Sequence, residues 1–210
     1  MIIAVDGPAA SGKGTIAKKM AEVLGISHLD TGAMFRSVAF LMIQDNADLQ
    51  NSDLVTQYAQ TLSPEVFQSL CENEEIRADE IGKGASIIAV FPTVRKVLLD
   101  FQREFPYKNG NNGAILDGRD IGTVVFPNAD YKFYITASTE ARAKRRLIDL
   151  QVKKPDISYE TVFSDMLVRD ERDMNRKEAP MQIANDAIVI DTSDMTPDEV
   201  LKEALRHIKR

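Results

Sequence analysis

The sequence is poor in the residues that staple small domains or cage metals. It has one cysteine, Cys71, and two histidines far apart, His28 and His207. A disulfide framework needs paired cysteines and a zinc cluster needs converging Cys or His ligands, so both are excluded. Long apolar runs are also missing: the longest cover only a few residues, against the ~20 needed to cross a bilayer. Met1 leads through Ile2-Ile3-Ala4-Val5 straight to Asp6, too short and too acidic an opening for a signal peptide, and the expected compartment is the cytoplasm. Lysine and arginine number 26 against 32 aspartates and glutamates, a net charge of -6. That balance argues against a surface that grips nucleic acid throughout, but it leaves room for a local anion site.

What is present fits one globular core with embellishments: 210 residues, 44% hydrophobic and 28% charged, without repeats, low-complexity tracts or Pro/Gly/Ser linkers. Short apolar runs at 2–5, 114–116 and 187–190, with 131–136 and a weaker 27–30, read as five buried parallel strands. Helical segments lie between them. One over 13–24 carries Ile16, Met20, Val23 and Leu24 as an apolar stripe and stops at Gly25. The last helix opens on Thr196-Pro197-Asp198-Glu199, a capping box with proline at the first helical position. Strands alternating with helices predict a parallel sheet covered on both faces. Residues 45–79 lack strand alternation, and Ser63-Pro64-Glu65 marks a helix start, so they read as a helical insertion on the sheet's rim. Residues 145–176 read as a helix, a Lys153-Lys154-Pro155 break and a second helix.

Gly7-Pro8-Ala9-Ala10-Ser11-Gly12-Lys13-Gly14-Thr15 follows the first strand and opens the first helix, the setting a phosphate-binding P-loop requires. Its glycines let successive N–H groups turn toward one centre, the helix start adds its own free N–H groups, and Lys13 adds a mobile full charge. A ligand-free glycine turn is the alternative. Gly14 stands where the general motif has Ser or Thr, which weakens the case for direct Mg²⁺ coordination by a hydroxyl. A second turn, Asp117-Gly118-Arg119-Asp120, leaves the strand at 114–116 and should face the same crevice at the carboxyl ends of the strands. Arg169, Arg172, Asp173 and Arg176 fall on one helix face, with Arg142, Arg145 and Arg146 on the preceding helix. Such a stripe is either a solvated ion-paired face or a cradle for polyanions. Asp30-Thr31-Gly32-Ala33-Met34-Phe35-Arg36 closes the second strand, where Thr31 and Arg36 are candidates for holding a second phosphorylated ligand.

Together the pieces GPAASGKGT, LDTGAMFR, EIRADE followed by ASIIAVFPTVR, DGRDIGTVVFP and RDERDMNR resemble, in order and over almost the whole chain, the bacterial cytidylate kinase family of P-loop nucleoside monophosphate kinases. Gly14 then belongs to that family's GKGT pattern. The resemblance implies an α/β fold of the P-loop NTPase type, a three-layer sandwich on a five-stranded parallel sheet. It implies one domain over 1–210, with a core of 1–44, 80–144 and 177–210, a monophosphate-binding insertion at about 45–79 and a lid at about 145–176. Family members carry a larger, strand-containing insertion, so a shortened one is expected here.

The implied reaction moves the γ-phosphoryl group of ATP to CMP or dCMP in a monomer. Gly7 to Thr15 would hold ATP. Thr31, Arg36, Arg119, Arg169 and Arg176 would surround the CMP phosphate and the transferred group, with Asp173 and Arg176 near the ribose. Ser86, Arg95 and Asp120 would read cytosine, whose amino group suits a carboxylate and whose N3 and O2 suit an arginine. Lys13, Arg119, Arg145 and Arg169 would stabilise the charge in flight, and Mg²⁺ would travel with ATP, with Thr15 and Asp117 as outer-sphere candidates. Two rival readings stay open: another small-molecule kinase of the P-loop type, and a binding module gated by nucleotide.

Overall fold

The computed structural model describes residues 1–110 and 113–209. Its five strands are β1 (Ile2–Asp6), β2 (Ser27–Asp30), β3 (Ala114–Gly118), β4 (Tyr131–Thr136) and β5 (Ile188–Asp191). They form one parallel sheet in the order β2-β3-β1-β4-β5. Nine helices connect and cover it among the described residues. They are α1 (Lys13–Leu24), α2 (Thr31–Gln44), α3 (Ser52–Gln60), α4 (Pro64–Glu72), α5 (Asp79–Ile88), α6 (Pro92–Glu104), α7 (Thr139–Gln151), α8 (Tyr159–Asn175) and α9 (Pro197–Arg206). A five-residue π-turn, Ile121–Val125, follows β3.

The alternation of side chains along the strands builds two cores, one on each face of the sheet. Ile3, Val5, Ile115, Phe133, Ile135 and Ile190 point one way and pack on α1 and α9. Ala4, Leu29, Ala114 and Leu116 point the other way, into a larger core supplied by α2 to α6. The hairpin α7–α8 has a small core of its own around Ala143, Val162 and Met166. Residues 45–79 are helical: α3 capped by Asn51, α4 capped by Ser63 with Pro64 at its first position, then a 3₁₀ turn at Glu74–Arg77. The capping box of α9 is formed in both directions between Thr196 and Glu199.

Two boundaries differ from the sequence reading. The buried stripe of α1 is Ile16, Ala17, Met20 and Ala21, and Val23 is exposed. At about 100° per residue Val23 sits a quarter turn from the centre of that stripe. The last strand starts at Ile188, because the Ala187 N–H closes a turn onto the Ala184 carbonyl. β1 and β3 run past their apolar stretches to Asp6 and Gly118, which brings polar residues to the carboxyl edge of the sheet.

That edge is packed without slack at Gly118. A Cβ there would lie 2.7 Å from the Thr31 hydroxyl and 2.8 Å from Ile121 Cδ1, and the Thr31 hydroxyl is itself bonded to the Asp117 carbonyl at 2.8 Å. Gly118→Ala should therefore destabilise the protein by about 1–3 kcal/mol, read as a lower midpoint in urea unfolding. A midpoint equal to that of the unsubstituted protein would contradict this packing.

Candidate active site

The segment from Gly7 to Gly12 joins the end of β1 to the start of α1. Gly7 (φ +149°) is forced by contact, since a Cβ there would meet the Ile135 carbonyl oxygen at 2.0 Å. Gly12 and Ala10 also take positive φ, 88° and 58°; alanine rarely adopts this region, and nothing in the sequence marks it. The first turn of α1 has no side-chain cap, so its N–H groups remain for a ligand. The Ser11 hydroxyl is buried without a hydrogen-bond partner. Lys13 folds back over the loop, its Nζ 3.4 Å from the Pro8 carbonyl oxygen. Two groups brace the loop from behind: Arg142 Nη1 donates to the Ala9 carbonyl at 3.4 Å, and the Thr192 hydroxyl donates to the Ser11 carbonyl at 3.0 Å.

The turn after β3 lies against the helix that this loop opens. Asp117 is buried, with Oδ2 3.6 Å from where a Cβ on Gly14 would stand. Its Oδ1 is 2.7 Å from His28 Nε2. Arg119 donates through Nε to Asp173 at 2.9 Å. Asp120 is bound on both oxygens, by Arg95 through Oδ2 and by Arg176 Nη2 at 3.2 Å through Oδ1. The Arg95 guanidinium also lies 5.6 Å from the centre of the Phe35 ring. Thr31 stands on the Asp117 carbonyl, and Arg36 bonds Asp30 at 2.6 Å while its Nε is buried without a partner. Ser86, on α5, accepts from Arg172 Nη1 at 3.2 Å.

Arg169 stands apart. It makes no ion pair among the described residues, and its buried Nε has no partner. Burial, with Arg119 as a like-charged neighbour, lowers its pKa to about 10. The same causes push Lys13 down to about 7. Asp173 is held below the usual carboxylate range: its burial opposes ionisation, but Arg119 and Arg169 prevail. Lys13, Arg119 and Arg169 thus share one crevice, and Arg169 has no ion-pair partner there among the described residues, an arrangement that favours a polyanion.

The expected loop residues, Thr31, Arg36, Ser86, Arg95, Arg119, Asp120, Arg169, Asp173 and Arg176, all lie at this edge of the sheet or on helices packed against it. Arg145 is directed elsewhere: Nη1 donates to the Thr192 hydroxyl at 2.9 Å, and Nη2 bonds the Thr192 carbonyl. Arg142, grouped in the sequence with the phosphate-facing arginines, is paired with Asp170 at 2.6 Å. Arg176 lies just past the end of α8 with extended backbone, so it reaches Asp120 by a turn of the chain and not by helical spacing. Thr15 is exposed on the first turn of α1. Reasoning from the sequence missed His28, Thr192 and Asp6. Their partners are 89, 181 and 115 positions away, and only the terminal acids of β1 and β3 carried a local sign, as polar residues ending buried strands.

The sheet order and the glycine-rich loop between β1 and α1 define a phosphate-binding α/β protein of the P-loop class. The family model described as cytidylate kinase matches residues 3–210, and the chain belongs to that family. A cytidylate kinase of Paramagnetospirillum magneticum is 47% identical over 205 residues, 97% of this chain and 95% of that one. One of Rhodospirillum rubrum is 45% identical over 207 residues, 98% and 95% of the two chains. These shares make the chains nearly equal in length. A solved structure, an uncharacterized protein from Eubacterium ventriosum, aligns with a TM-score of 0.52 at 14% identity, covering 99% of this chain and 98% of that one, and shares the fold.

The depressed Lys13 pKa makes a pH prediction. In the free protein near pH 8 most Lys13 is neutral, and a bound polyphosphate restores the ammonium, so binding takes up a proton. Calorimetric titration with ATP in two buffers of different ionisation enthalpy should show that uptake, and Lys13→Ala should abolish it. Enthalpies independent of buffer would remove the lysine from the phosphate site.

Proposed function

We propose that this chain transfers the γ-phosphoryl group of ATP to CMP or dCMP, giving ADP and CDP or dCDP. Both substrates are cytoplasmic metabolites, and that is the compartment we assign. The observation that carries the reading is Asp120 held between Arg95 and Arg176, one turn away from the phosphate loop. The Arg95–Asp120 pair presents a donor and an acceptor side by side. Cytosine offers the complementary edge: an amino group for the carboxylate, and N3 and O2 for the guanidinium. Uracil would leave the carboxylate facing a carbonyl, so CMP should be preferred.

In this assignment Gly7, Pro8, Ala9, Ala10, Ser11, Gly12, Lys13, Gly14 and Thr15 take the ATP phosphates, the orphaned Ser11 hydroxyl included. Thr31, Arg36, Arg119, Arg169 and Arg176 take the CMP phosphate, Asp173 and Arg176 the ribose, and Ser86, Arg95 and Asp120 the base. The nucleophile is a CMP phosphate oxygen already ionised near neutrality, so no general base is needed. The chain aligns two polyanions and neutralises charge as it shifts between them. Lys13, Arg119 and Arg169 do this at the crevice, and Arg145 serves the donor side from its seat at Thr192. Mg²⁺ bound with ATP would neutralise the β- and γ-phosphates, and the Asp117 carboxylate and Thr15 hydroxyl would serve as its outer-sphere partners. Residues 45–79 act as the acceptor-side insertion and 145–176 as the lid. One chain supplies every named group, and we take the active form to be a monomer.

A coupled assay with CMP, dCMP, UMP and AMP tests the reading: CMP or dCMP should give the highest kcat/KM. A higher value for AMP would favour another small-molecule kinase. ATP binding with no acceptor phosphorylated would favour a nucleotide-gated module. Lys13→Ala should lower kcat about a hundredfold or more while leaving the fold intact. Asp120→Ala should weaken CMP binding roughly tenfold or more and ATP binding far less, measured by separate titrations; equal losses would take Asp120 out of base recognition.

A further inference from the structure

Asp6 is a buried acid that the reaction above does not use. It is the last residue of β1, the central strand, in register with Gly118 of β3 on one side and Tyr134 of β4 on the other. Its side chain lies on the same face as Ala4, toward the π-turn. The residue is 5% exposed and forms no ion pair among the described residues. Instead Oδ1 accepts the Ile121 N–H at 2.8 Å and Oδ2 accepts the Gly122 N–H at 2.7 Å.

An apolar residue would be easier to bury here, and the two N–H groups explain why none stands in this position. They are consecutive backbone donors at the start of the π-turn, and each needs an acceptor in a place water does not reach. A carboxylate offers two acceptor oxygens. An amide offers one, and would turn its NH₂ group against the second N–H. Gly122 leaves the space for this contact, since a Cβ there would lie 3.4 Å from Asp6 Oδ2 and 3.1 Å from Lys132 Cδ. Burial raises the Asp6 carboxyl to about 7 despite both N–H bonds, so the contact is kept at a cost. The charged and titratable groups around it are Asp120, Arg119, Tyr134 and the Lys132 stem.

The two N–H groups follow immediately after Arg119 and Asp120, and the phosphate loop begins at the residue after Asp6. We propose that Asp6 is a positioning residue: it locks the backbone of the 119–122 turn to the end of β1, so that Arg119 and Asp120 are aimed at the acceptor in a fixed relation to the loop that holds ATP. This rests on the function proposed above. Asp6 touches neither substrate, and its effect is carried by the two amides. The Asp120 carbonyl, which accepts from the Val124 and Val125 N–H groups at 2.9 and 3.2 Å, ties the same turn from its other side.

The test is Asp6→Asn, assayed with each substrate varied in turn. The expected result is a KM for CMP raised roughly tenfold or more and a KM for ATP changed by less than about twofold. A residue that served stability alone would lower the melting temperature without splitting the two constants, and that result, or an equal rise in both, would overturn the proposal. A measurement on the unsubstituted protein covers the case in which the variant does not fold. The Ile121 and Gly122 amides should be strongly protected from solvent exchange, and their proton shifts should move together as pH passes through the Asp6 titration. Rapid exchange or pH-independent shifts would equally overturn it. Failure of the unsubstituted enzyme to phosphorylate CMP would strike the functional reading, while the amide measurement would still report on the lock.

Discussion

The structure depends on how many positive charges can be kept close together out of water. Lys13, Arg119 and Arg169 occupy one crevice at the carboxyl edge of the sheet, where burial and the neighbouring Arg119 charge lower both Lys13 and Arg169, while Arg119, buried as well, is held charged by Asp173. The fold manages this with carboxylates placed one by one: Asp173 on Arg119, Asp120 between Arg95 and Arg176, Asp170 on Arg142, Asp30 on Arg36. Arg169 is left over, buried without an ion pair among the described residues.

The sheet is what makes that arrangement possible. β1 ends in Asp6 and continues into the phosphate loop, β3 ends in Asp117-Gly118 and continues into the acceptor turn, and β2 ends in Asp30 and opens α2. Parallel strands bring all these ends to one edge. Packing then removes slack: Gly7 lies against the Ile135 carbonyl and Gly118 against the Thr31 hydroxyl, with no room for a side chain at either place.

The strands, the phosphate loop, the helix caps and most of the candidate site could be read from the sequence because each has a local cause. An apolar run bounded by glycine, a Ser-Pro-Glu start and a Gly-Lys-Gly-Thr turn are all written in adjacent residues. What escaped depends on distant partners. Arg142 and Arg145 look alike in sequence, two positive residues on one helix, yet Asp170 takes the first and Thr192 the second. His28 reads as an ordinary strand residue until β3 brings Asp117 alongside it. Val23 was misassigned for a different reason: its spacing fits the helical period, but it falls at the margin of the buried face, where period alone does not decide.

The hairpin of α7 and α8 carries its own small apolar centre and its own internal bridge, Arg142 to Asp170. Its links to α5, by contrast, are polar and partly exposed: Arg146 to Asp79, Lys83 to Asp165 and Arg172 to Ser86. Raising ionic strength would weaken these exposed contacts well before it touched the buried Arg142–Asp170 pair or the hairpin's apolar centre.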